Sequence, residues 1–177
     1  MQKFLKANNI GNLKIMLTAA IFSAISIVCG KFLAISVGDT LRFSLENLPI
    51  ILSGVIFGPT VGAFTGLVAD IVGCILRGYA INPILTLASV LIGFLAGAVY
   101  YILNKLNFHL QLAFTILICH TIGSVIIKTI GLCLWYATPF YATLISRIVN
   151  YIIVAAAEFI ILDILLSNKS FRKNLSK

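Results

Sequence analysis

The chain has 177 residues, of which 60% are hydrophobic and 10% charged, and its mean hydropathy is +1.10. Ordinary soluble domains are about 45–50% apolar and about 25% charged, so a soluble globule is excluded and residues 1–177 are expected to form a single integral membrane domain. The net charge of +8 comes from 13 Lys and Arg against 5 Asp and Glu, with the basic residues gathered mostly at the two ends; that distribution reports membrane topology, not nucleic-acid binding.

The apolar residues form continuous runs without the alternation of transmembrane strands, which sets a β-barrel aside. At about 25 residues per span and connection, there is room for five to seven helices. The first is expected over Leu13 to Ile35, with Lys31 near its far end, where a long side chain can snorkel. Its start resembles a signal peptide, but the further spans that follow favour a retained helix. Residues 36–46 concentrate Asp39, Arg42 and Glu46 and are expected to form an external loop.

From Asn47 to Leu76 the ionisable residue is Asp70, yet a continuous helix of that length would measure about 45 Å, half as long again as the hydrocarbon core. Gly58-Pro59 is the natural break, because proline removes a helical donor and restricts the residue before it. The expectation is a short helix over Leu48 to Phe57 and a longer one over Val61 to Arg77. A helix as short as the first needs protein or a cavity beside it, and interrupted segments of this kind point to binding sites in transporters. A second external loop follows at Gly78 to Pro83, then a fourth helix to Leu103, a turn at Asn104 to His109, a fifth helix over Leu110 to Tyr136, an outer turn at Ala137 to Pro139, and a sixth over Ala142 to Leu166. Lys3, Lys6, Lys14, Lys105, Lys169, Arg172, Lys173 and Lys177 then fall on one side, which the positive-inside rule makes cytoplasmic, with both termini there.

Gly54, Gly58, Gly62 and Gly66 recur every four residues, and Gly93 and Gly97 repeat the spacing, so close backbone packing is expected. Ala20 and Ala24 form a similar pair flanked by Leu17, Ile21 and Ile25; internal packing and docking to another membrane protein both fit that spacing. Cys29, Cys74, Cys119 and Cys133 are scattered within apolar runs and lack metal or disulfide spacing.

Ionisable groups at membrane depth carry more information, because each is costly there and usually meets a partner or an aqueous path. They are Asp70, Lys128, Arg147 and Glu158, and mutual neutralisation, for instance Asp70 with Arg147, stands beside ligand binding as a reading. His120 reads as a hydrogen-bonded core histidine. Arg77 and Arg147 are placed near the outer ends of their helices, and Arg147 with Asn150 shares a helical face able to bind a carboxylate or a heteroaromatic edge. Tyr79, Trp135, Tyr136, Phe140, Tyr141 and Tyr151 cluster at the same level, as an interfacial belt or as stacking walls. Phosphate-loop, metalloprotease and serine-hydrolase motifs are absent, so the chain is expected not to be an enzyme and to need no cofactor.

The stretch Leu41-Arg-Phe-Ser-Leu-Glu-Asn-Leu-Pro-Ile-Ile-Leu-Ser-Gly-Val-Ile-Phe-Gly-Pro-Thr-Val-Gly-Ala-Phe-Thr-Gly-Leu-Val-Ala-Asp-Ile-Val-Gly73 resembles the signature of the substrate-binding S components of energy-coupling factor (ECF) vitamin transporters, the folate family in particular. The resemblance implies an all-α, six-helix membrane protein that captures a vitamin from outside. It further implies a lid at residues 36–46, docking through Ala20 and Ala24 to a transmembrane coupling protein that works with two cytoplasmic ATPases, and toppling of the whole subunit in the bilayer. For folate, Asp70 would accept the paired donors of the pterin edge, with Arg147 and Asn150 beside it. Arg77, Tyr79, Lys128 and loop residues Arg42, Phe43 and Glu46 complete the expected site. Riboflavin, thiamine or a queuosine precursor remain alternative cargoes, and a self-sufficient transporter or an embedded enzyme remain alternative classes.

Overall fold

The structure, a computed structural model, describes residues 13–31, 33–37 and 41–168. The terminal lysines and arginines on which the expected orientation rests, Lys14 and Lys105 apart, and Asp39 of the loop lie outside the described residues.

Among the described residues six helices form the bundle. They are α1 (Leu13–Lys31), α2 (Asn47–Phe57), α3 (Pro59–Arg77) and α4 (Pro83–Ile102), followed by α5 (Phe108–Tyr136) and α6 (Phe140–Ser167). All but α2 are long and apolar enough to cross a membrane. Large apolar side chains such as Ile75, Ile102, Leu134, Ile152 and Ile164 are more than half exposed, the surface of a protein whose solvent is lipid. The interior holds Ile51, Ile92, Leu112 and Leu162, each fully buried.

The first helix ends at Lys31, four residues short of the expected Ile35. Ile35 is instead the first residue of β1 (Ile35–Val37), which pairs antiparallel with β2 (Leu41–Phe43). Strand pairing requires extended backbone, so the helix must stop earlier. The stretch expected to be an external loop thus contributes to a short antiparallel strand pair, whose second strand packs against α6.

The break at Gly58-Pro59 is where the sequence places it. Gly58 has φ 93° and ψ 175°, a region that side chains essentially exclude, and Pro59 starts α3 at a position where its missing donor costs nothing. The two helices double back on each other, so that a Cβ at Gly62 would overlap the backbone of Gly54 and of Gly93. A Cβ at Gly54 would lie 2.5 Å from the Gly93 carbonyl oxygen, and one at Gly97 would strike Gly58 and Pro59. The glycine spacing is thus close packing of α2 and α3 on α4.

Unequal helix length makes the void that holds the site. The 11 residues of α2 and the 19 of α3 rise about 16 and 28 Å. Both start from the turn at Gly58, so α2 stops about 12 Å short of its neighbour, and Glu46 and Asn47 face the gap.

Helix α5 departs from α geometry over His120–Ile127, a π-helical stretch of a type often found at functional sites. Gly123 within it lets α5 seat against Ile92 of α4, whose side chain a Cβ would overlap.

Candidate binding cavity

Two adjoining cavities open in the gap above α2. The larger, about 500 Å³, is bounded by α5 and α6 and includes His120, Ser124, Asn150 and Tyr151. The smaller, about 280 Å³, lies toward α1, α3 and α4 and includes Asp70, Arg77, Tyr79 and Ser89. Glu46, Asn47, Lys128, Leu132 and Arg147 line both, so these five residues are a partition between two lobes of one site. The larger volume, and the two lobes taken together, suit a small organic ligand.

The partition is built from charge. Lys128 Nζ lies 3.3 Å from Glu46 Oε1, and the lysine is nearly buried. Glu46 is fixed through its backbone as well, its carbonyl accepting from Ser26 Oγ at 2.6 Å. Arg77 donates from Nη2 to the Gly30 carbonyl, which ties the end of α3 to the end of α1. Gly30 leaves room for both groups: a Cβ there would lie 2.8 Å from Arg77 Nη2 and 2.9 Å from Glu46 Oε2, and these side-chain ends would have to shift. Arg147 reaches from α6 across to α5, where Nη1 donates to the Ser124 carbonyl at 3.1 Å and Nε has no partner.

Asp70 and Arg147 do not neutralise each other. Asp70 Oδ2 accepts from Thr86 Oγ1 at 2.6 Å and Oδ1 from Ser89 Oγ at 3.4 Å, both hydroxyls being on α4. An ionised carboxylate has about four acceptor sites, so capacity remains for a ligand. Among the charged residues lining the two lobes, three are cationic (Arg77, Lys128, Arg147) and two anionic (Glu46, Asp70).

Beneath the larger lobe His120, 2% exposed, joins Nε2 to Glu158 Oε2 at 2.5 Å, and Nδ1 lies 3.1 Å from Ser124 Oγ. The ring is thus the hydrogen-bonded core histidine expected, and it also walls the cavity, 5.5 Å from the Tyr151 ring. Trp135 and Tyr141 are half or more exposed and line neither lobe. Tyr79, Tyr136 and Tyr151 do.

Of the residues singled out from the sequence, Asp70, Arg77, Tyr79, Lys128, Arg147, Asn150 and Glu46 are brought together around the two lobes. Phe43 lies in β2 and is partly buried, away from the lining. Arg42 is placed in the same strand by its backbone, and its side chain lies outside the described part. Sequence reasoning missed Asn47, Ser124, Thr86 and Ser89, which are uncharged and carry no spacing signal. Ala20 and Ala24 are exposed on α1 amid Leu17, Ile21, Ile25 and Val28, themselves 42–62% exposed. Among the described residues no group of three or more His, Cys, Asp or Glu could hold a metal ion.

Comparison with known proteins gives this architecture a family. The model of the substrate-specific component of ECF transporters matches residues 14–166. The crystal structure of FolT bound with folic acid superposes with a TM-score of 0.69 at 26% identity, covering 84% of this chain and 90% of that one. ThiT from Listeria monocytogenes gives 0.70 at 23% identity, covering 93% and 97%, and an S component for biotin from an ECF-type ABC transporter gives 0.66 at 20%, covering 91% and 95%; these two establish the fold alone. A Mycoplasma pneumoniae protein described as an uncharacterized MG313 homolog is 31% identical over 129 residues, and the match covers 72% of this chain but 45% of that protein's length. With a multi-pass helical bundle in place and the family model matched over nearly its whole length, the chain belongs to the substrate-specific components of ECF transporters, integral membrane transport subunits and not enzymes.

Proposed function

We propose that this chain is the folate-capturing subunit of an ECF-type importer. The observation that carries the reading is the two-lobed cavity with its excess of cationic over anionic lining. A folate has a flat pterin head whose edge offers adjacent N–H donors, and a longer aminobenzoyl-glutamate tail with two carboxylates. The smaller lobe suits the head, where Asp70 accepts the paired donors. The larger suits the tail, with Tyr151 and His120 beside the benzoyl ring and Arg147 and Lys128 drawing the carboxylates. Thiamine is a cation and riboflavin lacks carboxylates, so the charge balance argues against both, although ThiT shares the fold to the same degree as FolT. That FolT binds folic acid and is 26% identical supports the same reading.

In this proposal the cavity end of the bundle faces outward, both termini are cytoplasmic, and residues 36–46 are the lid. The exposed Ala20 and Ala24 surface docks a transmembrane coupling protein. That protein, with two ATPases, supplies the energy to topple the subunit and release its cargo inward.

Titrating the detergent-purified chain calorimetrically with folic acid, thiamine, riboflavin and biotin tests the assignment. Saturable one-to-one binding of folic acid, with the others bound at least a hundredfold more weakly, about 2.7 kcal/mol, is expected. Preferential binding of any of the other three would overturn it.

A further inference from the structure

A hydrogen-bonded chain runs from the deepest carboxylate of the bundle to the partition of the cavity, and each link sets the polarity of the next. Glu158 is fully buried, and its Oε2 lies 2.5 Å from His120 Nε2; an ionised carboxylate can only accept, which assigns the shared proton to Nε2. With the proton on Nε2, the neutral ring leaves Nδ1 as an acceptor, and Ser124 Oγ lies 3.1 Å from it. A serine hydroxyl has one proton to give. Donated to His120, it leaves the Ser124 oxygen able to accept, and Asn47 Nδ2, an amide donor, lies 3.4 Å beyond. The amide is therefore held in one sense, its NH2 toward Ser124 and its carbonyl oxygen away.

That carbonyl oxygen, Oδ1, has no partner. It belongs to a side chain 7% exposed that lines both lobes. A buried acceptor left unpaired is costly, and a bound ligand with a donor at this depth removes the cost.

We infer that Asn47 is a specificity-determining residue that accepts a hydrogen bond from an N–H in the middle of the bound ligand, and that Glu158, His120 and Ser124 are positioning residues that keep its amide in that sense. The inference rests on the folate reading. In a folate laid across the partition, the group between head and tail is the bridging N10 amine, so the N–H that Asn47 reads is this one.

The test compares folic acid with N10-methylfolic acid, in which a methyl group replaces that single donor, by calorimetry on the full purified chain. The wild type should prefer folic acid by about tenfold, the worth of one buried hydrogen bond. Asn47→Leu should bind folic acid more weakly and bring the two ligands within about twofold of each other. Leucine keeps bulk at the position, so a preference caused by crowding of the methyl would survive the change. Asn47→Asp, which retains an acceptor, should restore the preference. Ser124→Ala removes the hydroxyl link while leaving the cavity wall, and should cut the preference to about threefold or less, deciding the matter if Asn47→Leu fails to fold.

Equal binding of the two ligands by the wild type, or an undiminished tenfold preference in Asn47→Leu or Ser124→Ala, overturns the role of Asn47 and leaves the folate assignment standing. Failure of the wild type to bind folic acid at all overturns the folate assignment itself, and this inference with it.

Discussion

Replacing Asp70 by Asn is the most informative change at the site, because it preserves size and alters one charge and one oxygen. In the structure Thr86 and Ser89 occupy one acceptor site on each carboxylate oxygen, at 2.6 and 3.4 Å, so both oxygens keep acceptor capacity in a residue that lines the smaller lobe. On the folate proposal, a pterin edge would use that capacity for two parallel charge-assisted bonds. Asparagine turns one acceptor into an NH2 that confronts a ligand N–H, removing one such bond and leaving a donor unpaired. A hydrogen bond to a charged group is worth about 1.5–3 kcal/mol, so folic acid affinity should fall between about tenfold and a hundredfold or more. Calorimetric titration measures the loss, with a thermal melt of the empty protein confirming that the bundle is intact. Asp70→Asn protein that melts normally and binds folic acid within about threefold of wild type would show that Asp70 does not touch the ligand.

Arg147→Met should weaken folic acid binding by about tenfold or more, because it removes a cation from the lining and the link from α6 to the Ser124 carbonyl; titration with folic acid reads this directly. Gly58→Ala should destabilise the empty protein by about 1–3 kcal/mol, since alanine is strained at φ 93° and ψ 175° even though nothing crowds the position. Its melting temperature in detergent checks this. The double change Ala20→Leu and Ala24→Leu should leave folic acid affinity unchanged and abolish copurification with the coupling protein and ATPases, because it adds bulk to a surface exposed on α1 that is no part of the lining of either lobe.

Much of the fold was legible because membrane depth turns length into a strict constraint. The Asn47 to Leu76 stretch was too long to be one helix; of its two prolines Pro49 stands in the first turn, where a helix tolerates it, and Pro59 follows a glycine in the interior, so the break had a single natural place. The charged part of the site was legible for a related reason: a carboxylate or guanidinium in hydrocarbon needs explaining, which singled out Asp70, Lys128 and Arg147 by residue type and position in the chain alone. Uncharged polar residues carry no such mark. Ser, Thr and Asn bond to neighbouring backbone anywhere in a helix, so nothing distinguished Ser124 or Asn47 from Thr18 or Thr121, which do only that. The π-helical stretch that presents His120 and Ser124 together, and the strand pairing that ends α1 at Lys31, depend on contacts between distant segments and have no local signature.

The most direct measurement is the identity of the small molecule that stays with the protein through gentle purification, determined by native mass spectrometry and then by its fragmentation after release. One folate per chain, lost from the Arg147→Met and Asp70→Asn variants, is the expected result. A different vitamin in stoichiometric amount, or an empty protein that also fails to take up added folic acid, would contradict the account.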